Sequence, residues 1–167
     1  MRYQKDRPTD GIEEKTLLVK RVSKKTSGGN HATFATLVAV GDRKGRVGIG
    51  IGRGLEVPQS IRRATTRARK SMMEVPRYGT TIPHQILVEF KSSRILLKPA
   101  PDGTGLKIGG VARTLFDLAG IYNASGKVLG SRNQISNAYA VMMAFQSLKP
   151  RKVIEKKEAE EVKKETK

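Results

Sequence analysis

The sequence predicts an α+β protein of two small units, in the element order β-β-β-α, linker, β-β-α-β-α. Three observations predict it. Strand-like apolar segments recur three times before one helix-period stripe begins near Pro58. A Pro- and Gly-containing stretch, residues 76–83, then breaks the pattern. Beyond it, strand and helix patterns alternate down to residue 148. A chain of 167 residues has room for two such units.

Residues 17–22 form the first expected strand. Ser23-Lys24-Lys25-Thr26-Ser27-Gly28-Gly29-Asn30-His31 follows and reads as a basic, glycine-containing loop. Over residues 33–40, Phe34, Thr36, Val38 and Val40 take one face, and Ala35, Leu37 and Ala39 the other. Gly41-Asp42-Arg43-Lys44-Gly45 is turn chemistry between two strands. In the next strand Val47, Ile49 and Ile51 share one face while Gly48, Gly50 and Gly52 share the other. Strand glycines mark close approach of another backbone or a ligand. Two readings follow: a bare sheet face set against RNA, or a tight fit to the unit's own helix or a neighbour.

Pro58 suits the first turn of a helix running to about Val75, closed by Pro76. Ile61, Ala64, Thr65, Ala68 and Met72 fall on one stripe, and Arg62, Arg63, Arg67, Arg69 and Lys70 on the opposite side. Those five charges are all positive, which favours a phosphate-facing surface over a merely solvated one. In the second unit, residues 86–90 and 94–98 read as a strand pair around Lys91-Ser92-Ser93. Residues 111–119 form a short helix that buries Val111, Leu115 and Leu118. One more strand lies within 122–129, and 134–148 is a helix whose stripe is Ile135, Ala138, Tyr139, Met142 and Phe145. The expected organisation is a flexible arm (1–14), a first unit (15–76), a linker (77–83), a second unit (84–149) and a disordered Lys/Glu tail (150–167).

Charge narrows the partner. Lys and Arg number 33 against 15 Asp and Glu, a net charge of +18. Residues 15–150 hold only Asp42, Glu56, Glu74, Glu89, Asp102 and Asp117 on the acidic side. A body so charged repels itself unless a polyanion completes it, and a nucleic acid is the general candidate. Four Phe, four Tyr and no Trp offer few platforms for unpaired bases, so a structured nucleic acid read by backbone and shape fits better. With no Cys, disulfides, thiolate zinc sites and cysteine nucleophiles are excluded. No apolar run approaches a membrane span, and a soluble protein is expected.

Catalytic signatures are incomplete. Gly48-Ile49-Gly50-Ile51-Gly52-Arg53-Gly54 does not satisfy G-x-G-x-x-G, and it lies within a strand pattern. Gly105 and Gly110 have P-loop spacing, but Val111 stands where Lys is needed; before Gly126-Lys127, Ile121 replaces the first glycine. The amides of residues 103–110 either accept a phosphate or carboxylate at a helix start, or merely turn tightly. His31 and His84 lack a metal-type partner set. No enzyme activity, cofactor or metal is expected.

Two sets of residues together carry a resemblance. Arg21-Val22-Ser23-Lys24, Gly28-Gly29, Phe34, Val40-Gly41-Asp42, Gly45-Arg46-Val47-Gly48-Ile49-Gly50 and Glu56-Val57-Pro58 form the first. Ser93-Arg94-Ile95, Pro99-Ala100, Gly103-Thr104-Gly105, Gly109-Gly110, Arg113, Ala119-Gly120 and Gly130-Ser131 with Asn133 form the second. In order and spacing they resemble the family of small-ribosomal-subunit protein five, bacterial type, over about residues 15–148.

The resemblance implies a double-stranded-RNA-binding-like β-β-β-α N-domain and a β-β-α-β-α C-domain with a left-handed crossover. It also implies a structural constituent of the small subunit that binds ribosomal RNA. Proteins four and eight, and possibly three, would be neighbours, near the messenger-RNA entry path and linked to assembly and decoding accuracy. No membrane partner and no homo-oligomer are expected. The location would be a cytoplasmic ribosome, with a plastid one also compatible. The expected RNA-binding residues are Arg21, Lys24, Lys25, Gly28, Gly29, Asn30, Arg43, Lys44, Arg46, Arg53, Arg62, Arg63, Arg67 and Arg69. Gly103, Gly105 and Arg113 are the expected contacts to protein four. Asn30 and Ala32 depart from the Arg and aromatic residue usual in the family, Gln134 replaces its Pro, and Ile108 stands where a small residue is common. A free-standing duplex-RNA binder is the alternative. A relative of small-molecule kinases sharing the second fold is a third reading, for which no carboxylate completes the glycine loop.

Overall fold

The computed structural model describes residues 11–150. They fall into two units by their contacts. One is the chain up to Glu74 together with Thr114–Gly120, and the other is Val75–Arg113 together with the chain from Ile121. Residues 1–10 of the expected arm and 151–167 of the expected tail lie outside the described residues.

The first unit is a four-stranded sheet in the order β1 (Glu13–Thr26), β2 (Gly29–Gly41), β3 (Arg46–Gly54), β4 (Met73–Glu74), with helix α1 (Val57–Lys70). The first three strands pair antiparallel in sequence order. β1, at 14 residues, is more than twice the expected length. Glu13 and Glu14, expected in a flexible arm, begin it opposite Gly41 and Val40. At its other end the expected basic loop is a hairpin, with Thr26 paired to Gly29 across Ser27-Gly28. β3 pairs with β2 only as far as Phe34, so beyond it β1 and β2 continue as a two-stranded ribbon. Every residue from Val19 to His31 is exposed.

The glycine face of β3 carries α1. A Cβ on Gly48 would lie 2.4 Å from the Ala68 carbonyl oxygen; on Gly50, 2.2 Å from that of Ala64; on Gly52, 2.0 Å from that of Ser60. Helix backbone rests on strand backbone, which only glycine permits. The reading of this face as bare sheet against RNA is therefore overturned, and the tight fit to the unit's own helix holds. The facing helix positions are correspondingly small: Ser60, Ala64 and Ala68 are fully buried. Val38 and Val40 complete this core, with Ile12, Ile61 and Met72 packed at its edge.

α1 ends five residues before the expected Val75. The Ser71 hydroxyl donates to the Ile49 carbonyl at 2.7 Å, and Met73 and Glu74 then pair with Val47 and Arg46 as an edge strand. Within the same unit, the Arg43 amide donates to the Leu118 carbonyl at 2.9 Å and the Lys15 ammonium pairs with the Asp117 carboxylate.

The second unit is a mixed sheet in the order β5 (Ile86–Phe90), β6 (Ser93–Pro99), β8 (Ala124–Val128), β7 (Leu106–Lys107). β5, β6 and β8 pair antiparallel, while the two-residue β7 runs parallel to β8. The crossover between those parallel strands is helix α2 (Gly110–Ala119), and helix α3 (Gln134–Ser147) closes the fold. Val111, Leu115 and Leu118 are buried as expected, together with Ala112, Phe116 and Ala119. Gln134 leaves the start of α3 intact, because the Asn133 side chain accepts from the Ile135 amide at 3.1 Å. Tyr139, expected in the buried stripe, is 38% exposed and stacks on Phe90 with ring centroids 5.5 Å apart. Ala140, Val141 and Ala144 are buried instead, so α3 is enclosed around more of its circumference than one stripe.

The segment expected as a linker is tied down. Tyr78 and Thr81 exchange backbone hydrogen bonds at 2.9 and 3.1 Å, and Ile82 is buried. The Thr80 carbonyl accepts from the amides of Tyr122 and Asn123 at 3.0 and 3.1 Å.

Candidate nucleic-acid interface

The outer face of α1 is built by what its inner face requires. Small residues at 60, 64 and 68 seat the helix on glycine, and the intervening positions project Arg62, Arg63, Thr66, Arg67 and Lys70 around one shallow depression. Arg63 donates to the Arg53 carbonyl at 2.8 Å and Arg67 to the Ile51 carbonyl at 2.7 Å. Both guanidiniums thus hook onto β3 and remain exposed, with donors left for a ligand. Among the described residues, no carboxylate pairs with Arg62, Arg63, Arg67 or Lys70.

Arg69 differs. Its guanidinium bonds Glu14 of β1 at 3.0 and 3.2 Å, and Thr65 donates to the same carboxylate at 3.1 Å. This pairing escapes a search along the helix, because the carboxylate comes from a strand 55 positions away.

The β2–β3 turn is organised by a buried acid. Asp42 accepts from the amides of Lys44 and Arg46 at 2.8 and 2.9 Å and from the Arg46 guanidinium at 2.8 Å. Burial alone raises its carboxyl; the hydrogen bonds from Arg46 and Lys44 and the Arg46 charge outweigh that and hold it below the ordinary carboxylate range. The turn can then carry Arg43 at φ 55 with its side chain 3.0 Å from Glu13. Arg43 and Arg46 are therefore ion-paired, and Lys44 also has a partner within the protein.

The ribbon carries Arg21, Lys24, Lys25 and His31, all exposed, with no carboxylate among residues 15–41. Gly28 lies in its two-residue turn, Gly29 has φ 123, and Asn30 pairs with Lys25 in register. The Thr26 hydroxyl closes the turn on the Gly29 carbonyl at 2.8 Å. Arg53, at the far end of β3, is also exposed. The fourteen expected residues therefore spread over the ribbon, the turn, the end of β3 and the helix of one unit.

Gly103, Gly105 and Arg113 lie in the second unit. Gly103 and Gly105 have φ 85 and 72 and form a turn pinned by residues the sequence reading missed. Asn123 accepts from the Gly105 amide at 3.0 Å and donates to Thr80 and Asp102 at 3.0 and 3.1 Å, and Thr80 donates to Asp102. The Gly105 amide is thus occupied internally, which favours the tight-turn reading for this part of the loop. Arg113 lines a separate groove with Lys107 and Lys127. Neither lysine is an expected site residue from sequence, because each stands singly in a glycine-containing segment with no periodic neighbours. Among the described residues no cluster of acids and histidines is placed to hold a metal, and no described helix is long and apolar enough to cross a membrane.

A two-unit α+β chain with this excess of cations, exposed on a ribbon, a turn and a helix, has the make-up of a structural RNA-binding protein. Residues 12–76 match the family described as ribosomal protein S5, N-terminal domain, and residues 88–158 its C-terminal domain. The chain is 46% identical over 149 residues to the small ribosomal subunit protein uS5 of Thermus thermophilus, including two of its strains. The matched region covers 89% of this chain and 92% of the relative. The chain belongs to the bacterial ribosomal protein S5 family, whose members are structural, non-enzymatic proteins of the small ribosomal subunit. Its partners are ribosomal RNA and other ribosomal proteins.

Proposed function

We propose that this chain braces small-subunit ribosomal RNA where several segments meet, with the outer face of α1 and the β1–β2 ribbon as its phosphate-binding surfaces. One observation carries the reading. Arg62, Arg63, Arg67 and Lys70 surround one depression without a balancing carboxylate, on a helix seated directly on strand backbone. Each phosphate neutralised on duplex RNA should steepen the fall of log K with log salt by up to ~0.9. Arg43, Arg46 and Arg69 already have acidic partners, so they contribute less than Arg62 or the ribbon lysines. The family resemblance supports Gly103, Gly105 and Arg113 as the contact to protein four, with protein eight a further neighbour. It also supports roles in assembly, decoding accuracy and the messenger-RNA entry region, with protein three nearby, on a cytoplasmic ribosome.

The test is competition between wild type and Arg62→Glu with Lys70→Glu for incorporation into small subunits. Arg67 stays in place because its guanidinium holds β3. The variant should melt with the wild type and be depleted several-fold from assembled subunits. Equal incorporation overturns the α1 assignment.

A further inference from the structure

We infer that the second unit holds a discrete phosphoryl-binding site at the start of α2, made by the amides of Gly110, Val111 and Ala112 with Asn137, Lys127 and Arg132. These residues line one cavity of about 530 Å³, and no carboxylate lines it. The volume admits a phosphate with part of a ribose. No residue of α1 or the ribbon takes part, although Lys127 also lines the neighbouring groove of Arg113.

Three observations point to an oxyanion. Among the described residues, no side chain or carbonyl accepts from the first-turn amides of α2, so the positive end of a ten-residue helix opens into the cavity uncapped. Asn137 is 92% buried, being 8% exposed, and its Oδ1 accepts from Ser93. That bond turns the Nδ2 amide group to the cavity it lines, and Nδ2 has no acceptor among the described residues. Nδ2 is thus a donor open to the cavity and available to a ligand there. Finally, Gly109 has neither a positive φ nor any atom within 4 Å of a built Cβ. Neither backbone conformation nor packing asks for glycine there, and its backbone is left open to a ligand in the cavity.

Lys127 on β8 and Arg132 before α3 then bring two cations to the same space. Donors converge from a helix end, a buried amide and two flexible cations. A tetrahedral phosphoryl group, with oxygens pointing several ways, can engage them together, whereas a planar carboxylate meets fewer.

The experiment uses the full chain, labelled with ¹⁵N and titrated at constant ionic strength with inorganic phosphate against chloride and acetate. Phosphate should shift the backbone amides of Gly110, Val111 and Ala112 and the side-chain amide of Asn137 saturably, and chloride and acetate should not. Lys127→Ala and Arg132→Ala, both at exposed positions, should each weaken binding about tenfold, while Lys98→Ala changes nothing. Two further arms separate the source. ApA, with one internal phosphodiester, reproduces the pattern where an RNA strand supplies the group; 5′-AMP alone reproduces it where a nucleotide or chain end does. Shifts that never saturate, that acetate matches, or that spread equally over the cations of α1 and the ribbon mean an adventitious ion only, and overturn the site.

Discussion

Gly48, Gly50 and Gly52 of β3 and Gly103, Gly105 and Gly109 before α2 carry the same absent side chain in opposite surroundings. At β3 the missing Cβ is occupied by helix backbone within 2.0–2.4 Å. Before α2 nothing lies within 4 Å of any of the three. In the first segment glycine is a packing requirement. In the second it is a conformational one at Gly103 and Gly105, where φ is positive, and neither at Gly109. Composition therefore says that backbone is bare, and only the fold says whether protein, turn geometry or a ligand uses the bareness.

Substitution by alanine breaks this comparison into graded effects. Gly50→Ala forces a methyl against the Ala64 carbonyl and must lift α1, so stability to denaturant should drop by about 3 kcal/mol or more. A loss below about 1 kcal/mol would mean that the helix is not seated as described. Gly103→Ala meets no atom but must hold φ 85, and should cost about 1 kcal/mol. Gly109→Ala meets neither obstacle and should leave the stability to denaturant within about 0.5 kcal/mol of wild type, while its methyl intrudes on phosphate binding.

Asp42 sharpens the contrast from the side of the turn. Its folded carboxyl lies below the ordinary value of 3.8, so its contribution is complete above that pH and fades as pH falls through the lower folded value. Asp42→Asn should cost about 1–2 kcal/mol at neutral pH. The gap between variant and wild type should narrow on acidification below about pH 3.8, measured by urea denaturation across that range. A gap independent of pH would assign the effect to shape rather than charge.

Much of this architecture was legible because burial writes a period into the sequence. α1 and α2 each bury one face and show it as a stripe, while β2, buried on both faces from Thr36 to Gly41, shows as a short apolar run. Other elements left no such mark. The ribbon from Ser23 to His31 reads as a loop in the sequence because it is exposed on both faces, so no apolar alternation distinguishes strand from coil. β4 and β7 have two residues each, too few for any period. α3 is buried on several sides by alanines, which blurs its stripe and misplaced Tyr139. The cation surplus was plain from composition. Which cations are already engaged was not, because Glu14 reaches Arg69 and Glu13 reaches Arg43 only through the sheet.

The close seating of α1 has one more consequence. With Arg63 and Arg67 latched to β3 carbonyls, these charges keep fixed separations before any RNA arrives. A docking polyanion meets a rigid template instead of freely swinging arms, so less side-chain freedom is surrendered on association. Three absent methyl groups inside a sheet thereby set the geometry of a surface on the far side of a helix.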